Sequence, residues 1–184
     1  MAKQENLDEK IIASKTAWTG SFLKADELEV ILPNNKHAHR DVIRHPGAVG
    51  IVALTDTSDI ILVKQYRTPL ERVTLEIPAG KLEPGEDASV CAARELEEEC
   101  GITAHKLSFL TSIATSAGFS DEILHLYMAT ELEFFKPHPD EDEFIAITKM
   151  PLADFVDLVL DGKIEDAKTI IGALICDAIA HRLA

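Results

Sequence analysis

The residues best suited to chemistry in this chain of 184 residues are three glutamates of one predicted helix. On a helical wheel, Glu95, Glu98 and Glu99 fall within an arc of about 100°, whereas Ala92 and Leu96 occupy the neighbouring arc and face the core. Like charges at this spacing destabilise a helix by about a few tenths of a kcal/mol per pair. The cluster is therefore either a solvated acidic face, the usual outcome for a run of charges, or a site for a hard divalent cation.

Two neighbours of the cluster favour the cation site. Arg94 lies among the glutamates, where its planar guanidinium could orient carboxylates. A glycine-bearing loop, residues 79–85, precedes the helix and could bring a backbone carbonyl to the same ion. The helix itself is predicted over residues 87–100, with Asp87 as its N-cap and Gly101 as the residue that ends it.

The rest of the chain predicts a mixed sheet with helices packed on it, which is an α+β fold. Two β-branched runs, Ala48–Leu54 and Ile60–Tyr66, are predicted to form a hairpin through the turn 55–59. The other strands predicted after residue 46 are Val73–Ile77, Leu107–Thr115, Glu122–Leu132 and Phe144–Met150. The tail has apolar residues at helical spacing and predicts two helices, Ala153–Leu160 and Glu165–Leu183.

The first 45 residues differ from the rest of the chain in their predicted elements. They hold short β-like stretches separated by turn residues, and Pro46-Gly47 ends this part. We therefore predict a small N-terminal β-domain over residues 1–45 and a main domain over residues 46–184. Because a segment of about 40 residues rarely builds a core of its own, we expect the N-terminal domain to pack in a homodimer.

Net charge and cysteine content limit the classes of binding partner and the cellular compartment that we expect for this chain. Eighteen Lys and Arg residues against 32 Asp and Glu residues give a net charge of −14, which argues against nucleic acid and anionic membranes as partners. The three cysteines lack the spacing of a disulfide framework or zinc site, so we expect reduced thiols in a cytoplasmic protein. No apolar run predicts a transmembrane helix, and the charged N-terminus does not predict a signal peptide.

The acidic helix and the loop before it resemble the Nudix box at every defined position of that motif. These positions, with matching gaps, are Gly80, Glu86, Arg94, Glu95, Leu96, Glu98, Glu99, Gly101 and Ile102. Fixed gaps across so many positions make the match specific. The resemblance implies an α/β/α sandwich that hydrolyses a nucleoside diphosphate linked to another moiety, with Mg²⁺ as the cofactor and Mn²⁺ as its substitute.

Carried over by position, the resemblance assigns metal binding to the Ala79 carbonyl, Glu95 and Glu99. Glu98 would bind metal or hydrogen-bond its water, and Arg94 would hold the carboxylates in place. The ions would neutralise the diphosphate and lower the pKa of the attacking water. An acidic protein would in this way meet an anionic substrate through cations.

Stretches outside the box resemble the ADP-ribose pyrophosphatase branch of the family. They are residues 45–49, 64–67, 75–83 and 162–169. The branch implies cleavage of ADP-ribose, a small nucleotide sugar, to AMP and ribose 5-phosphate. It also implies a homodimer in which the N-terminal β-domain crosses to the partner subunit.

The same branch suggests residues for substrate binding. Arg67 would contact the diphosphate, although by residue type alone it could be a surface charge at a strand end. Arg40 would lie near the nucleotide, and Glu76 matches an acidic position that can add a metal ligand. Trp18, the single tryptophan, would stack on the adenine or else belong to the core or dimer interface. Gly118, in a turn after the box, is placed with the substrate-binding residues.

A loop after the box is expected to supply the general base. Residues 140–143 form an acidic run between prolines and the following strand, and we assign the base to Glu141 with Glu143 as the second choice. The run could also be a solvated turn. In that case Glu98, or a metal-bound hydroxide without a loop base, would activate the water.

One departure from the branch leaves the substrate open. Ala117 stands where these enzymes usually carry a proline, so the turn there should be looser. A broader nucleoside diphosphate sugar hydrolase is therefore an alternative. A non-catalytic module that senses ADP-ribose is a further alternative, but such modules tend to have a degraded box.

Overall fold

The structure is a computed structural model that describes residues 6–138 and 144–183. The strands are β1 (Lys10–Thr19), β2 (Lys24–Ile31), β3 (His37–Arg44), β4 (Ala48–Ala53), β5 (Asp59–Arg67), β6 (Arg72–Glu76), β7 (Ala79–Lys81), β8 (Ile102–Ala114), β9 (Ile123–Phe134) and β10 (Ile145–Pro151). The helices are α1 (Ala88–Cys100), α2 (Leu152–Leu160) and α3 (Ala167–Leu183). The chain divides into two compact units, one of residues up to Pro46 with Ala114–Ile123, the other of Gly47–Ile113 with Leu124 onward.

The first unit is built on an antiparallel sheet in the order β1-β2-β3. Its buried apolar side chains include Leu28 and Val30 of β2, the central strand. Every residue of β1 is exposed. The segment 114–123 joins this unit through backbone hydrogen bonds, among them the Ile43 amide to the Phe119 carbonyl at 2.7 Å.

The second unit holds two sheets, in the orders β7-β4-β9-β8 and β10-β5-β6. Strand β4 pairs antiparallel with β7 and parallel with β9, so the sheet is mixed. The helix α1 packs against one side of β4, and α3 packs against the other with α2 beside it. This arrangement is the predicted α/β/α sandwich of the α+β class.

The alternation of side chains along β4 explains the two layers. All six residues of β4 are buried, and successive side chains of a strand point to opposite faces. Val49 and Ile51 share a core with α1, whereas Val52 shares a core with Phe155 of α2. Helix α3 comes close to the strand at Gly172, where a Cβ would lie 2.7 Å from Val52 Cγ2.

The predicted hairpin of β4 and β5 is wrong. The turn forms, with the Thr55 amide donating to the Asp59 carbonyl at 3.0 Å, but only one bridge joins the two strands, at Leu54 and Ile60. The strands belong to different sheets, because β4 takes its partners from β7 and β9 and β5 takes its partners from β6 and β10. Strand β7 was not predicted, since three residues carry no readable periodicity.

Two further expectations concern membrane-spanning helices and the state of the cysteines. Among the described residues, no helix is long and apolar enough to span a membrane. Cys91, Cys100 and Cys176 are buried thiols, and none of the three is in a disulfide. Burial raises the pKa of each thiol to about 12, so all three stay protonated at neutral pH.

Candidate active site

Helix α1 begins and ends where its terminal backbone groups find partners. Asp87 is the N-cap, and its carboxylate accepts a hydrogen bond from the Ser89 amide at 2.8 Å. Gly101 follows the helix with φ of 63°, and its amide donates to the Glu97 carbonyl at 2.8 Å. The apolar side of the helix, which includes Leu96, is buried against β4. The acidic side therefore faces the loop that precedes the helix.

Arg94 holds three glutamates at once. Its Nε and Nη2 donate to the two carboxylate oxygens of Glu86 at 2.9 and 3.1 Å. Its Nη1 donates to Glu95 and to Glu98, at 2.9 Å each. The hydrogen bonds to Glu86 are the largest cause of a raised pKa at Arg94, and the same guanidinium holds the pKa of Glu86 at about 2. Arg94 and Glu86 therefore stay charged at neutral pH.

Gly80 makes room for the carboxylate of Glu95. A Cβ at position 80 would lie 1.8 Å from Glu95 Cδ and 1.9 Å from its Oε1, so any other residue would displace that carboxylate. The backbone of Gly80 does not have a left-handed φ. The glycine is thus required by close approach and not by a special backbone conformation.

Two other glutamates of α1 differ sharply in exposure. Glu99 is only 4% exposed, and its carboxylate accepts a hydrogen bond from the Ala79 amide at 3.1 Å. The side chain of Glu98 is 44% exposed. The buried carboxylate is fixed beside Ala79 and Gly80 of β7, whereas the exposed one is hydrogen-bonded to Arg94 at the surface.

The chemistry of this donor set fits a hard divalent cation. The groups that converge are carboxylates and the backbone of residues 79 and 80, without nitrogen or sulfur ligands among them. The space above Gly80, which a Cβ would fill, holds the Glu95 carboxylate. Within residues 6–138 and 144–183, no three acidic, His or Cys side chains are gathered into a ready metal cluster. Arg94 occupies the carboxylates of Glu95 and Glu98 in this state.

A second charged network surrounds Glu76, which is buried at the end of β6. Arg67 Nε and Nη2 donate to its two oxygens at 2.7 and 2.6 Å, and the Thr74 hydroxyl donates at 2.5 Å. Lys168 Nζ also contacts Glu76. Burial alone would raise the pKa of Glu76, but the Arg67 hydrogen bonds and the charge of Lys168 lower it to about 2. The hydrogen bond to Glu76 likewise raises the pKa of Arg67.

Arg67, Glu76 and Lys168 line a pocket of about 370 Å³ in the second unit. The structure therefore joins two residues that the sequence had assigned separately, Glu76 to metal and Arg67 to the diphosphate. Lys168 and Asp166 were not assigned a role. The only signal for them was their position in the 162–169 stretch, which carries no local pattern that points to β6.

Three predicted substrate-binding residues lie in the first unit. Arg40 donates to Glu9 at 2.5 Å, and Arg40 and Gly118 line a pocket of about 340 Å³ in that unit. Trp18 lies on β1 and is 56% exposed, with its ring over the backbone of Gly20. The indole is thus not part of a core in this unit. The base candidates Glu141 and Glu143 lie outside the described residues.

Comparison with known proteins supplies the family. Residues 44–171 match the family model described as the NUDIX domain. The chain belongs to the Nudix family. It is 47% identical over 167 residues to an ADP-ribose pyrophosphatase of Bacillus subtilis strain 168, with 90% of each chain covered. It is 43% identical over 166 residues to a methanol dehydrogenase activator of Bacillus methanolicus, with 89% of this chain and 90% of that one covered.

The fold of this Nudix protein also matches a solved structure. An ADP compounds hydrolase superposes with a TM-score of 0.86 over 98% of both chains, at 22% sequence identity. The comparisons confirm the predicted family, its fold and an enzyme of the hydrolase class. Nudix hydrolases generally use a divalent metal, in keeping with the oxygen donors of α1.

Substitution of Gly80 by Ala should separate activity from folding in this Nudix hydrolase. The added Cβ must push the Glu95 carboxylate away, which a flexible side chain allows without unfolding. We expect kcat/KM to fall by about 100-fold, the order of loss for a misplaced active-site group, with a nearly unchanged melting temperature. In a Glu95→Ala background the same change should cost nothing further. A similar loss in both backgrounds would show that Gly80 acts through something else.

The low pKa of Glu76 predicts a pH dependence of stability. Because this pKa is about 2 in the folded protein against an ordinary 4.5, the carboxylate stabilises the fold fully above about pH 4.5. The contribution is lost as the pH falls towards 2. The difference in free energy of unfolding between wild type and Glu76→Gln should therefore be large above pH 5 and shrink towards pH 2.

Urea unfolding at several pH values measures this difference. Glu27→Gln is the control, because its ion pair with Lys15 at 3.7 Å is exposed and contributes little. Parallel profiles for wild type and Glu76→Gln would contradict the assignment of acid sensitivity to Glu76.

Proposed function

We propose that the chain is a Mg²⁺-dependent pyrophosphohydrolase that cleaves ADP-ribose to AMP and ribose 5-phosphate. The observation that carries the hydrolytic chemistry is the set of α1 glutamates that Arg94 holds beside Gly80 of β7. The substrate is supported by similarity to the Bacillus subtilis ADP-ribose pyrophosphatase over 90% of the chain.

The residues that would hold the cation are the Ala79 carbonyl, Glu95, Glu98 and Glu99. When bound, a divalent cation neutralises diphosphate charge and lowers the pKa of water. Glu99 suits a fixed ligand, since it is buried and already anchored to the Ala79 amide. Glu98 suits a role that needs movement, because it is exposed and hydrogen-bonded only to Arg94 among the side chains that the structure describes.

Glu76 is the remaining metal candidate, and its surroundings argue for a different main role. Arg67 and Lys168 already neutralise its charge, and a buried carboxylate with two cationic partners gains little from a third. We therefore keep Glu76 as an additional ligand only, and assign it chiefly to holding Arg67. The guanidinium of Arg67, 38% exposed at the pocket, would meet the diphosphate.

Three of the predicted residues remain candidates for binding the nucleotide. Arg40, Trp18 and Gly118 are retained for this role. The support is chemical: an exposed indole offers a face for adenine, and a glycine lets a ligand approach the backbone closely. A Cβ at Gly118 would meet no atom within 4 Å, so space is open there.

A second candidate function keeps the chemistry and widens the substrates to other nucleoside diphosphate sugars. It is favoured by Ala117, which stands in the turn after the box. The Ser116 carbonyl accepts hydrogen bonds from Phe119 and Ser120 at 3.0 and 2.9 Å, so backbone contacts close this turn without a proline. A turn without proline has more backbone freedom than one with proline, and this freedom favours a wider range of sugars.

A substrate panel tests both candidates. ADP-ribose, other nucleoside diphosphate sugars, NADH, dinucleoside polyphosphates and nucleoside triphosphates would be incubated with Mg²⁺ or Mn²⁺, and products separated by chromatography. We expect the highest kcat/KM for ADP-ribose, and AMP with ribose 5-phosphate as products. EDTA should abolish turnover, and Glu99→Gln should lower kcat by more than about 10⁴-fold, since it damages the metal site itself. Full activity in metal-free buffer would refute the mechanism.

The loop glutamates can be separated by paired substitutions. Glu141→Gln keeps the shape of the side chain and removes the proton acceptor, so kcat should fall by about 10²–10⁴-fold with KM little changed. Glu143→Gln is the matched control and should cost less. A large loss at Glu143 alone would move the base by two residues. No loss at either would assign activation to Glu98 or to a hydroxide without a loop base.

We also propose a homodimer formed through the first unit. Strand β1 exposes all ten residues, and these include the apolar side chains Ile11, Ile12 and Trp18. An edge strand of this length with apolar side chains is a surface that proteins normally cover. Light scattering at micromolar concentration should give twice the monomer mass, and Ile12→Glu should lower it. A monomeric wild type would refute the dimer.

A further inference from the structure

The start of helix α3 contacts the end of strand β6 through the side chains of Asp166, Lys168 and Thr169, to which the proposed chemistry gives no role. Lys168 Nζ contacts Glu76 and lies 3.0 Å from Asp166 Oδ1. Asp166 Oδ2 accepts hydrogen bonds from the Thr169 amide, at 3.0 Å, and from its hydroxyl. The Thr169 hydroxyl oxygen accepts from the Ile77 amide at 2.9 Å. The start of the helix therefore contacts two consecutive residues: the side chain of Glu76 and the backbone amide of Ile77.

Glu76 in turn fixes the position of the Arg67 guanidinium. Two parallel hydrogen bonds join the guanidinium to the carboxylate, a geometry that fixes both planes. Oε2 of Glu76 accepts from both Arg67 and Lys168, so two cations hold the same carboxylate oxygen. The Lys168 side chain is 11% exposed, less than that of Arg67, which makes it the inner of the two cations.

The charges of this chain of contacts alternate from Arg67 through Glu76 and Lys168 to Asp166. Removal of Lys168 would leave the Glu76 and Asp166 carboxylates without the cation that contacts both. Like charges repel strongly where water is largely excluded, so the Glu76 side chain would shift. Arg67 would then lose the bidentate geometry that sets its direction in the pocket.

We propose that Lys168 is a positioning residue: it holds Glu76, and Glu76 holds the Arg67 guanidinium in the orientation that binds the substrate diphosphate. This inference rests on the proposed function, because the anion that Arg67 meets is that of the proposed substrate. It predicts that Lys168 affects turnover only through Arg67. A residue that merely stabilised the fold would act whether or not Arg67 is present.

A double-mutant cycle tests the dependence. Variants Lys168→Met, Arg67→Ala and the double variant would be assayed for kcat/KM with ADP-ribose and Mg²⁺, after thermal unfolding has shown that each is folded. We expect Lys168→Met to cost about tenfold in the wild-type background and less than about twofold in the Arg67→Ala background. Lys168→Arg should recover most of the loss, since it keeps a cation within reach of Glu76.

Lys163→Met serves as the matched control. Lys163 is an exposed lysine nearby that pairs with Asp161 at 2.9 Å, and its loss should leave kcat/KM unchanged. An equal cost of Lys168→Met in both backgrounds, or no cost in either, would overturn the proposal. If Lys168→Met does not fold, Asp166→Asn replaces it in the cycle, with about a threefold loss expected in the wild-type background only and the same overturning results.

Failure of the proposed function would be recognised separately. If wild-type protein does not hydrolyse ADP-ribose, the substrate assignment fails, and a crystal structure of the folded Lys168 variant then decides the positioning role. A Glu76 carboxylate that turns, or an Arg67 guanidinium that leaves it, supports the role. An unchanged Arg67–Glu76 pair overturns it.

Discussion

Carboxylates crowded on one side of helix α1 repel one another, and the candidate active site depends on the guanidinium of Arg94, which offsets this repulsion. Arg94 donates to Glu86 in the loop and to Glu95 and Glu98 on the helix, so one cation joins the two segments. The loop therefore keeps its position relative to α1. Gly80 can then lie against Glu95 so closely that a Cβ has no room.

The same requirement for paired charge governs the network at Glu76. A buried carboxylate is costly unless cations and hydrogen-bond donors surround it, and Glu76 has Arg67, Lys168 and Thr74. The two networks differ in exposure, because Glu98 is open to solvent while Glu76 is enclosed. In the proposed function the first network would exchange partners with a cation, and the second would hold the Arg67 side chain in place.

Both networks are carried by the packing around β4. Its fully buried residues supply one face to α1 and the other to α2 and α3, so the helices that carry Glu99 and Lys168 are fixed to opposite sides of one strand. The carbonyl of Pro78, between Glu76 and strand β7, accepts a hydrogen bond from the Ile51 amide of β4 at 2.8 Å. The segment that links the two charged networks is thus tied to the central strand.

Local chemistry was enough to predict helix α1 and its carboxylates. The cap at Asp87, the end at Gly101 and the arc of glutamates all depend on neighbours within one or two turns, and spacing in the sequence reports such contacts directly. The spacing of the box also identified the family. Only the tertiary structure decided the contacts between residues that are distant in the sequence. These are the strand partners of β4 and β5, and the contact of Lys168 with Glu76, which lie 92 positions apart. Strand pairing and buried ion pairs depend on which surfaces remain after the core has packed, and no local pattern records that choice.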